Sequence, residues 1–386
     1  MVSRAGLRAI CFGLAGLAVG AASAKAQTTP VFAIQTPSAL RAKDGSMAAA
    51  VGISANNAWA VGAVIAHWNG QVWQTVAAPP ANATLADVSA VSAKNVWAAG
   101  TINTNGTSAT LVEHWNGSGW SVVPTPALTG KQPVFNGIAA ISPNDVWAAG
   151  DFAVSNSLPP LFEHWNGQSW TVSPPNIGGF NVINKLAAVS STDVWAVGAA
   201  LDAGQQGASL PLIEHWDGSS WQRVSAPVVG VGGELFGVVA LSSTDVWTVG
   251  GSTLAKIGTS EITANPTQTL IEHWDGSSWT VIASPNVGPA SVFSANQLSG
   301  IAALSPTDIW AVGRFTLPDG QGRQLPLAMH WDGNTWTTQP TPNVGRLTSL
   351  FGAATAAPSS VWFVGAGGFP GLISGSGPLL LGATGG

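Results

Sequence analysis

Tyrosine is missing from this 386-residue chain, cysteine occurs once, at Cys11, and only 8% of the residues are charged. Each shortage removes a class of chemistry. Without tyrosine there is no phenolic nucleophile and no tyrosyl radical. One cysteine allows no disulfide framework, no Cys-x-x-Cys redox pair and no thiolate-rich zinc site. Thirteen Lys and Arg face eighteen Asp and Glu for a formal charge of −5. With no basic cluster, that balance lacks the electrostatic footprint of a protein that binds nucleic acid or anionic lipid. No apolar run reaches the ~20 residues of a membrane span. Neither G-x-S-x-G nor H-E-x-x-H occurs, so the commonest serine-hydrolase and zinc-protease signatures are absent too.

What is abundant is Gly (47), Pro (25) and Trp (19), a composition of short strands and turns. The tryptophans fall in order. DVWxVG or a close variant recurs with its Trp at 59, 97, 147, 195, 247, 310 and 362, and HWxGxxW recurs from His67, His114, His164, His215, His273 and His330. Seven Trp in the first motif and two in each of the six copies of the second account for all nineteen. A period of about 50 residues in a strand-rich chain signals a propeller or solenoid.

Each repeat divides into four strands. Strand A is short and small-residued (Ile138–Ile141, Leu186–Val189, Ile301–Leu304), as the crowded innermost strand of a ring requires. Strand B is DVWxVG, strand C the LIEHW segment, and strand D runs from the second Trp to a Pro, as in Trp221 to Pro227. B and C carry consecutive apolar residues, which suits strands covered on both faces. The A–B turns (SPND, SPTD) and the Asn-Gly or Asp-Gly hairpins between C and D are tight. The B–C and D–A loops vary: the former is nearly absent at Ala63–Ala66 and long at Gly251–Thr269. Because strands alternate in direction, all variation falls on one face.

The repeats occupy 46–80, 81–126, 131–176, 182–228, 234–286, 296–343 and 347–386. The seventh stops one strand short, and the orphan segment 31–37 aligns with a strand D, Val31 in the Trp position and Pro37 in the Pro position. The expected fold is therefore all-β: one seven-bladed β-propeller of four-stranded antiparallel blades over 27–386, the N-terminal strand completing the last blade. Ahead of it, Arg4 and Arg8, the apolar stretch Ala9–Ala22 and Ala24-Lys25-Ala26 read as a signal peptide cleaved after Ala26. Cleavage removes Cys11, Arg4, Arg8 and Lys25, takes the charge from −5 to −8 and leaves no membrane span. A secreted, periplasmic or cell-surface protein is expected.

Val246-Trp247-Thr248-Val249-Gly250-Gly251, followed by Ile271-Glu272-His273-Trp274-Asp275 and Trp279, resembles the kelch repeat of galactose-oxidase-type propellers. Most repeats have one Gly where kelch has two, and Trp replaces its usual Tyr. The Asp-Gly-x-x-Trp turn is more weakly similar to the Asp-box of sialidase-type propellers. The resemblance implies a propeller but no active site: kelch-like copper oxidases use a Tyr–Cys cross-link and sialidases a Tyr nucleophile with an Arg cluster. After the leader, this chain has no Tyr, no Cys, and only Arg41, Arg223, Arg314, Arg323 and Arg346.

Columns repeated in every unit serve the ring, so the Trp columns read as inter-sheet packing. The six His, one per sheet, cannot converge on a metal; a column that runs Asp145, Asp193, Asp245 and Asp308, with Asn57, Asn95 and Ser360 elsewhere, offers a structural His–Asp hydrogen bond within the blade. No catalytic residue, cofactor or metal is expected. Carboxylates outside the columns (Asp44, Asp151, Asp202, Glu234, Glu261, Asp319) leave room for a glycosidase-like or mutarotase-like enzyme as an alternative, and a structural cell-surface component is a third reading. The leading expectation is a non-catalytic binding module for an extracellular protein or glycan, with the ligand on the variable-loop face. The long B–C loops of repeats four to six nominate Asp202, Gln205, Gln206, Lys256, Glu261, Arg314, Asp319 and Arg323, the Arg residues being suited to hold carboxylates or sugar hydroxyls.

Overall fold

The computed structural model describes residues 30–41, 45–77, 79–128, 130–153, 158–174, 180–202, 208–253, 267–288, 295–317, 319, 321–357, 360–369 and 376–384. The predicted signal peptide, 1–26, lies outside them. Seven four-stranded antiparallel sheets form a ring, six of them built from consecutive strands. In the seventh, the N-terminal strand Val31–Ile34 lies outside Gly377–Thr384, Ser360–Gly367 and Ser349–Ala357. One helical turn, Ser38–Arg41, follows the N-terminal strand and buries Leu40.

The closing strand sits one residue away from the register expected. Phe32, not Val31, stands opposite Ala383, the position that carries the HW tryptophan in the other blades. Phe32 is buried whereas Val31 is 62% exposed. Phe32 meets Trp310 of blade 6 edge-on at 5.5 Å, as the strand D tryptophans do elsewhere, and stacks on Phe363 at 4.2 Å. A ring of the right size in the interblade slot, rather than the Pro spacing, sets this register.

That slot is the repeated unit of packing. The strand B Trp of blades 1 to 6 stacks on the His of its own strand C, from Trp97–His114 at 4.1 Å to Trp147–His164 at 4.5 Å, while Gly382 takes that position opposite Trp362 in blade 7. Each Trp then enters the next blade. Trp59 meets Trp115 and Trp120 at 4.9 and 5.2 Å, and Trp195 meets Trp274 and Trp279 at 5.3 and 5.4 Å. Trp362 closes the circle on Trp68 and Trp73 of blade 1. The expected Asp–His contact is present as well: His164, His215, His273 and His330 donate from Nε2 to Asp145, Asp193, Asp245 and Asp308 at 2.8–3.0 Å, and His67 donates to Asn57. In blade 2, Asn95 instead accepts from Trp97 Nε1 at 2.7 Å.

The inner strands are longer than their small-residue cores imply: Gln132–Ser142, Asn181–Ser190 and Gly232–Ser242 begin well before Ile138, Leu186 and Val238. Each inner strand carries a β-bulge near its start, which breaks the alternation a sequence reading follows. The DVWxVG glycine exists for this bulge. A Cβ on Gly198, Gly250 or Gly313 would lie 1.9 Å from the facing carbonyl oxygen of the inner strand. The C–D hairpins close over four residues, with the Asn or Asp side chain accepting two backbone N–H groups (Asp217 from Ser219 and Ser220 at 2.8 and 2.9 Å) and the following Gly218 at φ 93°.

One column is polar where the core should be apolar. Glu113, Glu163, Glu214 and Glu272 of strand C are buried, and the carboxyl oxygens of the last three have no hydrogen-bond partner among the described residues. Ala66, Met329 and Leu381 fill the same position in the other blades. Burial pushes these carboxyls up, Glu163 and Glu272 to about 8 and Glu113 and Glu214 to about 7.

Two outcomes follow from this packing. Trp195→Ala and Phe32→Ala are each expected to cost about 3–5 kcal/mol in chemical denaturation, as large core truncations do; a loss below about 1 kcal/mol would show that the interblade slot is not core. Because the glutamates have folded pKa values above their unfolded ones, their contribution is full in acid and is lost as pH rises through 7–8. The melting temperature is expected to fall progressively from about pH 4.5, where an unfolded glutamate ionises, to about pH 8, and Glu163→Gln with Glu272→Gln should flatten the fall.

Candidate functional site

The seven inner strands enclose a channel along the ring axis. Its middle is narrow and mostly lined by small residues, Ala49 and Ala139 among them with Gly237, Gly300 and Gly352, around a cavity of about 270 Å³. One ion pair crosses it. Lys185 of blade 4 reaches Asp87 of blade 2 at 2.5 Å, passing blade 3, whose Ile138 N–H donates to the same carboxylate at 2.9 Å. Asp87 also accepts from Val88 N–H at 2.8 Å. A buried carboxylate with two backbone donors and an ammonium ties three blades together and forms a polar floor.

Above that floor the channel widens to a mouth of about 310 Å³. It opens toward the D–A and B–C loops, because the bulges lie near the start of each inner strand and the strands run from that face. The bulges themselves shape the rim. Their extra residues are Ala48, Ala86, Asn136, Asn184, Phe236, Ser299 and Phe351, and all seven line the mouth. This is the part of the inner strand where side chains differ most between repeats. Sequence reasoning passed over it because a bulge has no signature in alternation; the usable signal was the variable residue opposite the strand B glycine that recurs in every repeat.

Two carboxyls stand behind the rim amides. Asn136 donates from Nδ2 to Asp151 at 3.3 Å and to Ile183 O of blade 4 at 2.9 Å. Asn184 repeats the arrangement, donating to Glu234 at 2.9 Å and to Leu235 O at 2.8 Å, both in blade 5. Burial raises both carboxyls against the opposing effect of these hydrogen bonds, Asp151 to about 6. Neither residue was nominated for binding in the sequence reading, although both were noted as carboxylates outside the columns.

Of the residues nominated, Arg314 lines the mouth, on strand B of blade 6 directly after Gly313 and opposite Gln297. It is half-buried, which lowers its pKa by desolvation, and it has no side-chain partner among the described residues. Arg323 and Asp319 form an ion pair within the B–C loop of blade 6, Asp319 also accepting from Gln321 N–H at 2.8 Å, and Arg346 binds Gln321 O. These contacts knit the loop to the next blade. Gln205, Gln206, Lys256, Glu261 and the side chain of Asp202 lie outside the described residues. Among the described residues no three His, Cys, Asp or Glu group as a metal site, and no helix is long and apolar enough to cross a membrane.

No family model matches the sequence, and no curated protein matches it. Likeness appears among solved folds. YCF48 bound to a D1 peptide matches with TM-score 0.54 at 13% identity, over 94% of this chain and 100% of its own. The GH74 xyloglucanase from Xanthomonas campestris matches with TM-score 0.54 at 12% identity, over 87% of this chain and 53% of the enzyme. A PL25 ulvan lyase bound to -[GlcA(1-4)Rha3S]- gives 0.52 at 11%, over 92% and 93%. At these identities the fold is shared and nothing more is carried across.

The ion pair beneath the mouth is open to test. Lys185→Met leaves Asp87 buried without its counter-charge and is expected to cost about 3–5 kcal/mol in denaturant unfolding. Adding Asp87→Leu should recover part of that loss; no recovery would mean that the Asp87 backbone contacts, not the ion pair, hold the three blades.

Proposed function

We propose that the protein is a secreted, non-catalytic binding module that takes an extracellular protein or glycan on its variable-loop face, centred on the channel mouth. The observation that carries this reading is the coincidence of the polar mouth with the face on which the repeats differ. A rigid ring presents Asn, Gln, Ser and Arg side chains there, and variable loops surround them. The nominated loop residues Asp202, Gln205, Gln206, Lys256 and Glu261 belong to the proposal as the outer part of the surface, with Arg314 at its centre. The kelch-like character of the repeat and export through the N-terminal leader are parts of the same reading. Structurally similar propellers include a peptide-bound protein and glycan-active enzymes, so both ligand classes have precedent on this fold.

A second reading, a carbohydrate-active enzyme, is favoured by one observation: Asp151 of blade 3 and Glu234 of blade 5, carboxyls raised by burial, stand behind the rim amides Asn136 and Asn184 and accept from them. Glycan and peptide arrays probed with the leaderless protein, followed by mass-spectrometric analysis of the retained ligand, separate the two. Binding without change in ligand mass, with affinity surviving Asp151→Asn and Glu234→Gln, is the expected result. Turnover abolished by either substitution would establish the enzyme instead.

A further inference from the structure

Resting on the reading that the mouth is the binding site, we propose that it seats a hexuronic acid unit of a glycan, the sugar carboxylate held by Arg314. The other partly buried cations among the described residues have company. Lys185 is paired with Asp87, and Lys131 lies over the Phe152 ring at 4.2 Å. Arg314 alone loses water at the mouth without gaining a partner among the described residues. A planar, desolvated guanidinium with its donors unspent is a carboxylate receptor, able to give two parallel hydrogen bonds to one anion.

The surroundings specify what carries that carboxylate. Gln297 and Ser299, on the inner strand beside Arg314, and Asn184 across the mouth supply amide and hydroxyl groups suited to sugar hydroxyls. Phe236 and Phe351 come from the blades on either side of Arg314 and give apolar surface for the C–H faces of a pyranose ring. The mouth, at about 310 Å³, lies at the small end of ligand sites and suits one or two sugar units rather than a length of protein. Beneath it the Lys185–Asp87 pair closes the floor with charge, which favours a hydroxylated ring over a buried apolar side chain.

The test is calorimetric titration of the leaderless protein with tri-galacturonate and glucuronate-ended oligosaccharides, with neutral glucose and galactose trimers, and with an acidic peptide bearing a free C-terminus. Uronate ligands are expected to bind at least about ten-fold more tightly than the neutral trimers, the scale of one charge-assisted hydrogen-bonded pair. Arg314→Ala should abolish that preference at an unchanged melting temperature, and Arg314→Lys should retain part of it. Equal affinity for charged and neutral sugars, no binding of any uronate ligand, or a preference that survives Arg314→Ala would overturn the inference. Binding of the neutral sugars or of the peptide alone, blocked by Asn184→Ala, would overturn it while leaving the binding-module reading intact. Silence across all ligands and arrays would remove both.

Discussion

Seven tryptophan side chains, one per blade, decide how this ring is held. Each leaves strand B and enters a slot made by two aromatic residues of the next sheet, and six of the seven also stack on the histidine of their own sheet, Gly382 standing in that position beside Trp362. A sheet is joined to its neighbour by large flat surfaces in edge-on and tilted contact, with about 150–250 Å² of each ring available for burial. The Asp–His hydrogen bond behind most of these rings fixes the imidazole face on which the indole lies. The arrangement tolerates exchange of its parts, since Asn57 replaces Asp and Phe32 with Phe363 replaces the tryptophan pair at the closing blade. At all seven interfaces the slot is filled by aromatic rings.

The inner wall obeys a second constraint, and function follows from it. Seven strands crowd one axis, and each releases the crowding by a bulge that brings a backbone carbonyl against the strand B glycine. The bulge ejects one residue per blade toward the open end of the channel. Core packing does not dictate that residue, so Ala, Asn, Phe and Ser all occur there. The geometry that makes the glycine invariant within this chain thus also makes its neighbour free to vary. The mouth inherits its chemistry from those seven positions together with Lys185, Gln297 and Arg314, the last directly after a strand B glycine.

Charge in this protein is scarce, and its placement is correspondingly informative. The Lys185–Asp87 pair is fully engaged across the channel, and the Arg323–Asp319 pair is engaged within its loop. Glu163, Glu214 and Glu272 are buried without a hydrogen-bond partner among the described residues, a state that protonation relieves. Arg314 has no comparable escape, because a guanidinium keeps its proton at any ordinary pH. The difference between a glutamate that can neutralise itself and an arginine that cannot is the physical basis for assigning structure to one and ligand binding to the other.

Period, blade count, strand order within a blade and the closing role of the N-terminal strand were all legible in the sequence, because they depend on columns that recur and on turns with local chemistry. The seven Trp motifs, the Asn-Gly and Asp-Gly hairpins and the Asp–His pairing needed no knowledge of distant neighbours. Arg314 could be named as a candidate for the same reason: it stands outside every column. The register of Phe32, the bulges and the mouth needed the closed ring. Whether Val31 or Phe32 fills the slot depends on Trp310 and Phe363, residues about 300 positions away. That Asp87 meets Lys185 depends on the ring bringing blades 2 and 4 together at the axis past blade 3. Local pattern determined which strands form and in what order; only tertiary closure decided which side chains share the channel, because those contacts exist only when all seven sheets meet.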